Sequence, residues 1–246
     1  MNFGTIKAIN ALLKRKGLKI SDIDVYAEKI KNVGYSWLQE YDIKTILDIG
    51  ASNGGFASTA RKQFPESNII SFEPLNDSFE KLKSKFINDK KHFAYNLVLS
   101  DKIGELEFHE NNSSGSSSIL SMANNHIEAY PATAHSKKIL VKSETLDNIF
   151  STLPITPNIL LKIDVQGAES MVLKGAVESL SKIKVLFIEL SFVELYDNQW
   201  LFDDIYQFLR TLNFKLAGIE NISQNLNNGQ YLQMDAYFVN ENTIIN

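Results

Sequence analysis

Thr45-Ile46-Leu47-Asp48-Ile49-Gly50-Ala51-Ser52-Asn53-Gly54-Gly55-Phe56 is the stretch that decides the fold. An apolar run of this length predicts a buried strand, and the glycines that follow predict a tight turn into a helix. That helix would carry Phe56, Ala57, Ala60 and Phe64 on one side. Working outward, Asn68–Phe72 is a second buried strand, ending at Glu73-Pro74, and Asp77 or Ser78 caps a helix with Phe79, Leu82 and Phe86 facing inward. Further buried strands are expected at Tyr95–Leu99, Ile159–Ile163 and Val185–Glu189, with helices at Ala168–Leu180 and Phe202–Leu212. Strands alternating with helices mean βαβ units and a mainly parallel, Rossmann-like α/β sheet. Phe214–Ile219 and Ala236–Val239 flank an Asn-rich stretch with no room for a helix, so they are expected to pair antiparallel at one sheet edge.

Two segments stand apart from this scheme. Gly104–His109 patterns as an inserted strand, followed by the polar loop Asn111 to Ser118, which could fold over a site or simply connect. Residues 1–40 are expected to be a helical appendage to the main domain, 41–246. Its first helix runs from Thr5 to about Lys16, and its second starts at Ser21 or Asp22 and carries Val25, Tyr26, Ile30 and Val33. The cluster Lys14-Arg15-Lys16 suits either a solvated helix face or a membrane-surface helix.

Composition narrows the function classes. The 246 residues are 44% hydrophobic and 22% charged, ordinary for a soluble globular protein. A net charge of −4 argues against a duplex nucleic-acid binder, whose footprint is basic. With no cysteine, disulfides, thiolate-bound zinc and thiol catalysis are all excluded. No stretch approaches the roughly 18 apolar residues of a spanning helix, so no membrane span is expected and the cytoplasm is the default location. The oligomeric state is not legible, with a homodimer as the candidate assembly.

The glycine turn carries the chemical signal. Open α/β sheets bind ligands beyond the carboxyl ends of their strands, which is where Asp48 and Gly50 fall. Gly50 would let the chain turn with a ligand against its backbone, and Ser52 and Asn53 complete the turn. Glu73, followed by Pro74 at the next strand end, is placed to accept hydrogen bonds from ribose hydroxyls. A nicotinamide cofactor would need glycines at 50, 52 and 55, and the middle position is Ser52. That missing glycine is the one that admits a pyrophosphate, which S-adenosylmethionine lacks. The acid two residues before Gly50 also suits a cofactor bearing an ammonium better than one bearing phosphates.

The chain resembles the FkbM family of methyltransferases from Ile46 to the C-terminus. The resemblance rests on Leu47-Asp48-Ile49-Gly50, Phe72-Glu73-Pro74, Leu99-Ser100-Asp101 with Gly104, Glu144-Thr145-Leu146-Asp147, and Leu161-Lys162-Ile163-Asp164-Val165-Gln166-Gly167-Ala168-Glu169. It continues in Val172-Leu173-Lys174-Gly175-Ala176, Phe187-Ile188-Glu189 and Asp235-Ala236-Tyr237-Phe238. It implies a class I methyltransferase fold, with a mainly parallel seven-stranded sheet and an antiparallel C-terminal edge strand. It also implies S-adenosylmethionine as donor and transfer to oxygen, often a sugar hydroxyl in a glycan or glycosylated metabolite.

A sugar hydroxyl, with a pKa resembling water's (about 15.7), needs a base or a metal to lose its proton. Asp164 and Glu189 end adjacent strands and are the candidate catalytic pair, and together they could hold Mg²⁺. Asp164 would also lie beside the donor, although it could instead cap the following helix. Glu169 reads as a first-turn acid favoured by the helix dipole. Ser100 and Asp101 are expected beside the adenine. His109, at the end of the inserted strand, is the alternative base. His126 and His135 could also accept a proton, and no role falls to His92. Trp37 and Trp200 could stack on a sugar or be buried. Two rival functions remain beside the O-methyltransferase: a nicotinamide oxidoreductase, and a non-catalytic S-adenosylmethionine-binding protein.

Overall fold

The computed structural model describes residues 36–111, 116–130, 133 and 135–243. The helices expected between Thr5 and Val33 lie outside these residues. The chain divides into two units, Met1–Glu40 and Tyr41–Asn246, and the architecture below is that of the second.

Among the described residues ten strands run in chain order: β1 (Thr45–Ile49), β2 (Asn68–Phe72), β3 (His92–Tyr95), β4 (Val98–Leu99), β5 (Gly104–Asn111), β6 (Ser136–Glu144), β7 (Ile159–Ile163), β8 (Ile183–Ser191), β9 (Phe214–Gln224) and β10 (Tyr231–Asn240). Seven of them form one sheet in the order β3-β2-β1-β7-β8-β10-β9. All pairs from β3 to β8 are parallel, and β10 runs antiparallel to both its neighbours. This is the class I methyltransferase arrangement. Strands β1 and β7 are buried at every position, as befits the middle of a sheet covered on both faces.

The helices follow from capping and periodicity. α1 (Gly55–Gln63) starts after Gly54, which adopts a left-handed φ of 77°, and buries Ala57 and Ala60. α2 (Asn76–Lys85) buries Leu82. Short α3 (Asn124–Ala129) and α4 (Leu146–Ile149) follow, then α5 (Glu169–Lys174), α6 (Val177–Leu180) and α7 (Phe202–Thr211), whose Ile205 and Leu209 are buried. Leu47, Ile49, Ile70, Leu161, Ile188, Val172, Leu173 and Leu209 share the principal core.

Two local expectations are corrected, and one strand was not foreseen. The strand foreseen at Tyr95–Leu99 is two strands: β3 ends at Tyr95, and β4 leaves for a second sheet of order β4-β6-β5. Asn96 makes the break, its amide donating 3.0 Å bonds to the carbonyls of Glu73 and Pro74. Strand β6 escaped detection because most of its residues face solvent, which hides the apolar signal. The helix expected over Ala168–Leu180 is divided at Gly175, where any Cβ would collide with the Ser100 carbonyl oxygen. No helix among the described residues is long and apolar enough to cross a membrane.

Candidate functional site

The ends of β1, β2 and β7 surround a cleft lined by Gly50, Ser52, Glu73, Pro74 and Asp164, with Leu97, Val98, Leu99, Phe108 and Ile119 as its apolar wall. Its empty space, counting the mouth, is about 660 Å³, within the size range of small-molecule sites. The inserted loop does reach it, since Ser117 also lines the cleft. Residues 112–115 of that loop lie outside the described residues.

The glycine turn is set by close packing as well as by any ligand. Gly50 has φ 78°, and a Cβ there would collide with the Asp164 carbonyl oxygen where β1 and β7 meet. Ser52 is held in the left-handed region at φ 48°. Its amide donates to Glu73 Oε2 at 2.8 Å, while the Leu75 amide donates to Oε1 at 2.9 Å. Burial pushes the Glu73 carboxyl up, partly offset by these two donors. A carboxylate has about four acceptor sites, so about two remain beyond these amides. Asn53 is absent from the cleft wall.

Asp48 has a different partner from the one expected. Its carboxylate is fully buried, lies 3.3 Å from Lys162 Nζ, and accepts from Ser71 Oγ at 3.3 Å. The ammonium that answers Asp48 is therefore the protein's own. Lys162 also donates to the carbonyls of Ile49 (3.1 Å) and Gly50 (2.7 Å) and lies 3.6 Å from Asp164. Burial alone would lower the Lys162 pKa, but the Asp164 and Asp48 carboxylates outweigh it and hold it above the ordinary value. Sequence reasoning gave Lys162 no role. The signal was a lysine inside the otherwise apolar strand Ile159–Ile163.

Ser100 and Asp101 do not border the cleft. Ser100 is buried and bonds Ser143 Oγ at 2.8 Å, tying β4 to β6, while Asp101 is exposed. The corresponding wall is formed by Leu97, Val98 and Leu99, because the chain crosses to the second sheet before it reaches Ser100.

Asp164 and Glu189 are brought together by Gln166. Its amide nitrogen donates to Asp164 Oδ1 at 2.9 Å and to Glu189 Oε2 at 3.4 Å. Gln233 donates to Glu189 Oε1. Burial and the neighbouring Asp164 and Glu169 charges raise the Glu189 pKa well above the carboxylate range. The place foreseen for Mg²⁺ thus holds an amide donor. Among the described residues no cluster of three or more His, Cys, Asp or Glu is arranged to hold a metal ion, so the Mg²⁺ expectation is not supported. Glu169 is more than a helix-dipole acid. Its Oε1 accepts from the amides of Val165 (3.0 Å) and Gly167 (3.2 Å), and burial raises its pKa to about 7.

The histidines lie elsewhere. His109 alternates with the cleft-lining Phe108 along β5, and so projects from the other face, 3.4 Å from Ser121 Oγ. His126 is buried between Tyr130 and Tyr196 and bonds Thr133 Oγ1 at 3.0 Å. His135 is exposed. His92, which sequence reasoning left without a role, bonds Ser71 Oγ at 3.0 Å and stacks on Phe86. Trp200 packs on Phe208, with the Lys174 ammonium 4.5 Å from its ring, and is not presented as a sugar platform. Trp37 belongs to a short 3₁₀ turn, Ser36–Tyr41.

The family profile described as the methyltransferase FkbM domain matches residues 48–216, more than half of the chain. The chain belongs to the FkbM methyltransferase family. This FkbM chain is also 29% identical over 160 residues to the 2-O-methyltransferase NoeI of Sinorhizobium fredii, across 63% of the chain and 66% of that relative. The match therefore spans just under two thirds of the relative's length. Among solved structures, an uncharacterized protein of Listeria monocytogenes is 10% identical with a TM-score of 0.46, over 82% of this chain and 64% of its own. TrmK of M. capricolum, in complex with S-adenosyl-homocysteine, is 9% identical with a TM-score of 0.45, over 80% and 62%. Fibrillarin of Aeropyrum pernix, with natively bound S-adenosyl-L-methionine, is 7% identical with a TM-score of 0.42, over 78% and 66%.

Proposed function

We propose that residues 41–246 form a methyltransferase domain that moves a methyl group from S-adenosylmethionine to a hydroxyl oxygen, that of a sugar in a glycan or glycosylated small molecule. The observation that carries this reading is one cleft lined by two acids, Glu73 and Asp164, and by an apolar wall. Leu97, Val98, Leu99 and Phe108 offer a surface for a flat base, and the two free acceptor sites of Glu73 suit a vicinal diol. The donor is a sulfonium and carries positive charge, which the acids favour, and it lacks the pyrophosphate that the Ser52 turn does not accommodate. When bound, it supplies an electrophilic methyl group.

The remaining work falls to the chain. Methyl transfer is an in-line displacement, so much of the acceleration comes from holding the acceptor oxygen behind the methyl group. Asp164 faces the cleft with its side chain 40% exposed, which lets it accept a hydroxyl proton. Glu189, joined to Asp164 through the Gln166 amide, is the second acid on the acceptor side. The cytoplasmic setting and the carbohydrate acceptor stay part of this proposal, and the 2-O-methyltransferase relative supports transfer to an oxygen.

The test is methyl transfer from radiolabelled donor to a panel of sugar nucleotides and oligosaccharides. Label should appear on a hydroxyl oxygen, and Asp164→Asn should lower the rate by about 10²–10⁴, the range for general-base catalysis. Near-normal rates in Asp164→Asn and Glu189→Gln alike would remove the acids from the reaction.

A further inference from the structure

The turn Asp164–Ala168 has an unusual backbone. Gln166 has φ 57° and Gly167 φ 92°. A glutamine in the left-handed region is strained and persists only where its surroundings over-determine it. Here they do so from two sides. Glu169 holds the turn from within the fold through the Val165 and Gly167 amides. Tyr196 closes it from the other side, so tightly that a Cβ on Gly167 would come within 2.7 Å of its ring.

The strained backbone sends the Gln166 side chain to the two acids. The Tyr196 hydroxyl donates to Gln166 Oε1 at 3.1 Å, nearer than the Ser116 carbonyl at 3.5 Å, which orients the amide and leaves its NH₂ for Asp164 and Glu189. Tyr196 is itself anchored to the inserted region: Met122 and Tyr196 form a β-bridge, Ala123 N donates to Leu195 O at 2.9 Å, and Asp197 N to Ser121 O at 2.8 Å. Gln199 Oε1 accepts from the Leu195 and Tyr196 amides at 2.7 and 2.6 Å, locking the segment.

We infer that Tyr196 and Gln166 are positioning residues, a hydrogen-bonded relay that sets Asp164 and Glu189 side by side as a clamp for the acceptor hydroxyls and ties that clamp to the inserted region. Asp164 and Gln166 line the cleft whereas Tyr196 and Glu189 do not, so Tyr196 acts through Gln166. The inference rests on the reading of Asp164 and Glu189 as the acceptor-side acids. It accounts for an amide between two carboxylates that would otherwise repel, and for a tyrosine buried with its hydroxyl spent on a glutamine.

Tyr196→Phe removes one oxygen and keeps the packing on Gly167 and His126. Two readouts decide the matter. The side-chain NH₂ signals of Gln166, assigned by their loss in Gln166→Met, report the relay without any acceptor. In the wild type they should be shifted and slow to exchange with solvent, and in Tyr196→Phe they should move to positions typical of exposed glutamine. Turnover with the best acceptor of the panel should fall about 10²-fold, the cost of misplacing reacting groups by an ångström, with S-adenosylhomocysteine affinity within twofold of wild type. Unshifted, freely exchanging signals in the wild type, or signals indifferent to Tyr196→Phe, would show that no relay exists. Responsive signals with unchanged turnover would overturn the positioning role and leave the methyltransferase reading standing. A wild type that neither binds S-adenosylhomocysteine nor transfers methyl would instead remove that reading and, with it, the clamp's purpose.

Discussion

A lysine at position 162 inside a buried strand is the residue on which the site's electrostatics turn. Its side chain is 5% exposed, with the ammonium within reach of Asp48, Asp164 and two carbonyls, while Asp48 is fully buried. Removing one partner of such a pair leaves the other charge without compensation, which costs about 3–5 kcal/mol, whereas removing both can be near neutral. Urea unfolding should therefore show Lys162→Met destabilised by about that amount and Asp48→Asn/Lys162→Met largely restored. A double variant no better than the single one would mean that Lys162 acts through packing. Sequence alone placed Asp48, Gly50, Glu73 and Asp164 near one another, because each sits at a strand end in a readable motif. It could not pair Asp48 with Lys162, because that contact depends on β1 and β7 being neighbours. Nor did it foresee that Gly50 makes room for the Asp164 carbonyl as well as for any ligand.

At the scale of elements, the strands buried on both faces were legible as apolar runs, and those of the second sheet were not. β4 is only two residues long and β6 is largely exposed, so neither carries a periodic signal, and the cleft wall could not be read in advance as Leu97, Val98 and Leu99 rather than Ser100 and Asp101. β3 was displaced for a related reason: all four of its residues are only half-buried. That strand carries the pH dependence most easily isolated. Burial lowers the His92 pKa from 6.5 to about 4. The folded chain then resists a proton that the unfolded chain accepts, so this contribution is full above pH 6.5 and is lost as pH falls toward 4. Glu169, raised to about 7, works in the opposite sense: its contribution is full below pH 4.5 and is lost as pH rises through 7. Subtracting the unfolding free energy of His92→Gln from that of wild type removes the Glu169 part. The difference should shrink as pH drops from 6.5 to 4, and two parallel curves would place His92 in solvent.

For the whole molecule, the alternation of strands and helices was enough to give the parallel sheet and its antiparallel end, and the motif order was enough to give the family. The cleft follows from both, since the sheet's strand ends are where the turn after β1, the acid after β2 and the acid after β7 must meet. What separates the methyltransferase reading from a nicotinamide enzyme is the ligand that this cleft accepts, a question independent of the acceptor. Calorimetric titration of the purified chain with S-adenosylhomocysteine and, separately, with NADH puts it most directly. The account predicts saturable binding of S-adenosylhomocysteine, weakened in Glu73→Ala by about 1.5–3 kcal/mol, as for hydrogen bonds to a charged group, and no heat with NADH. Tight NADH binding with none for S-adenosylhomocysteine would contradict it.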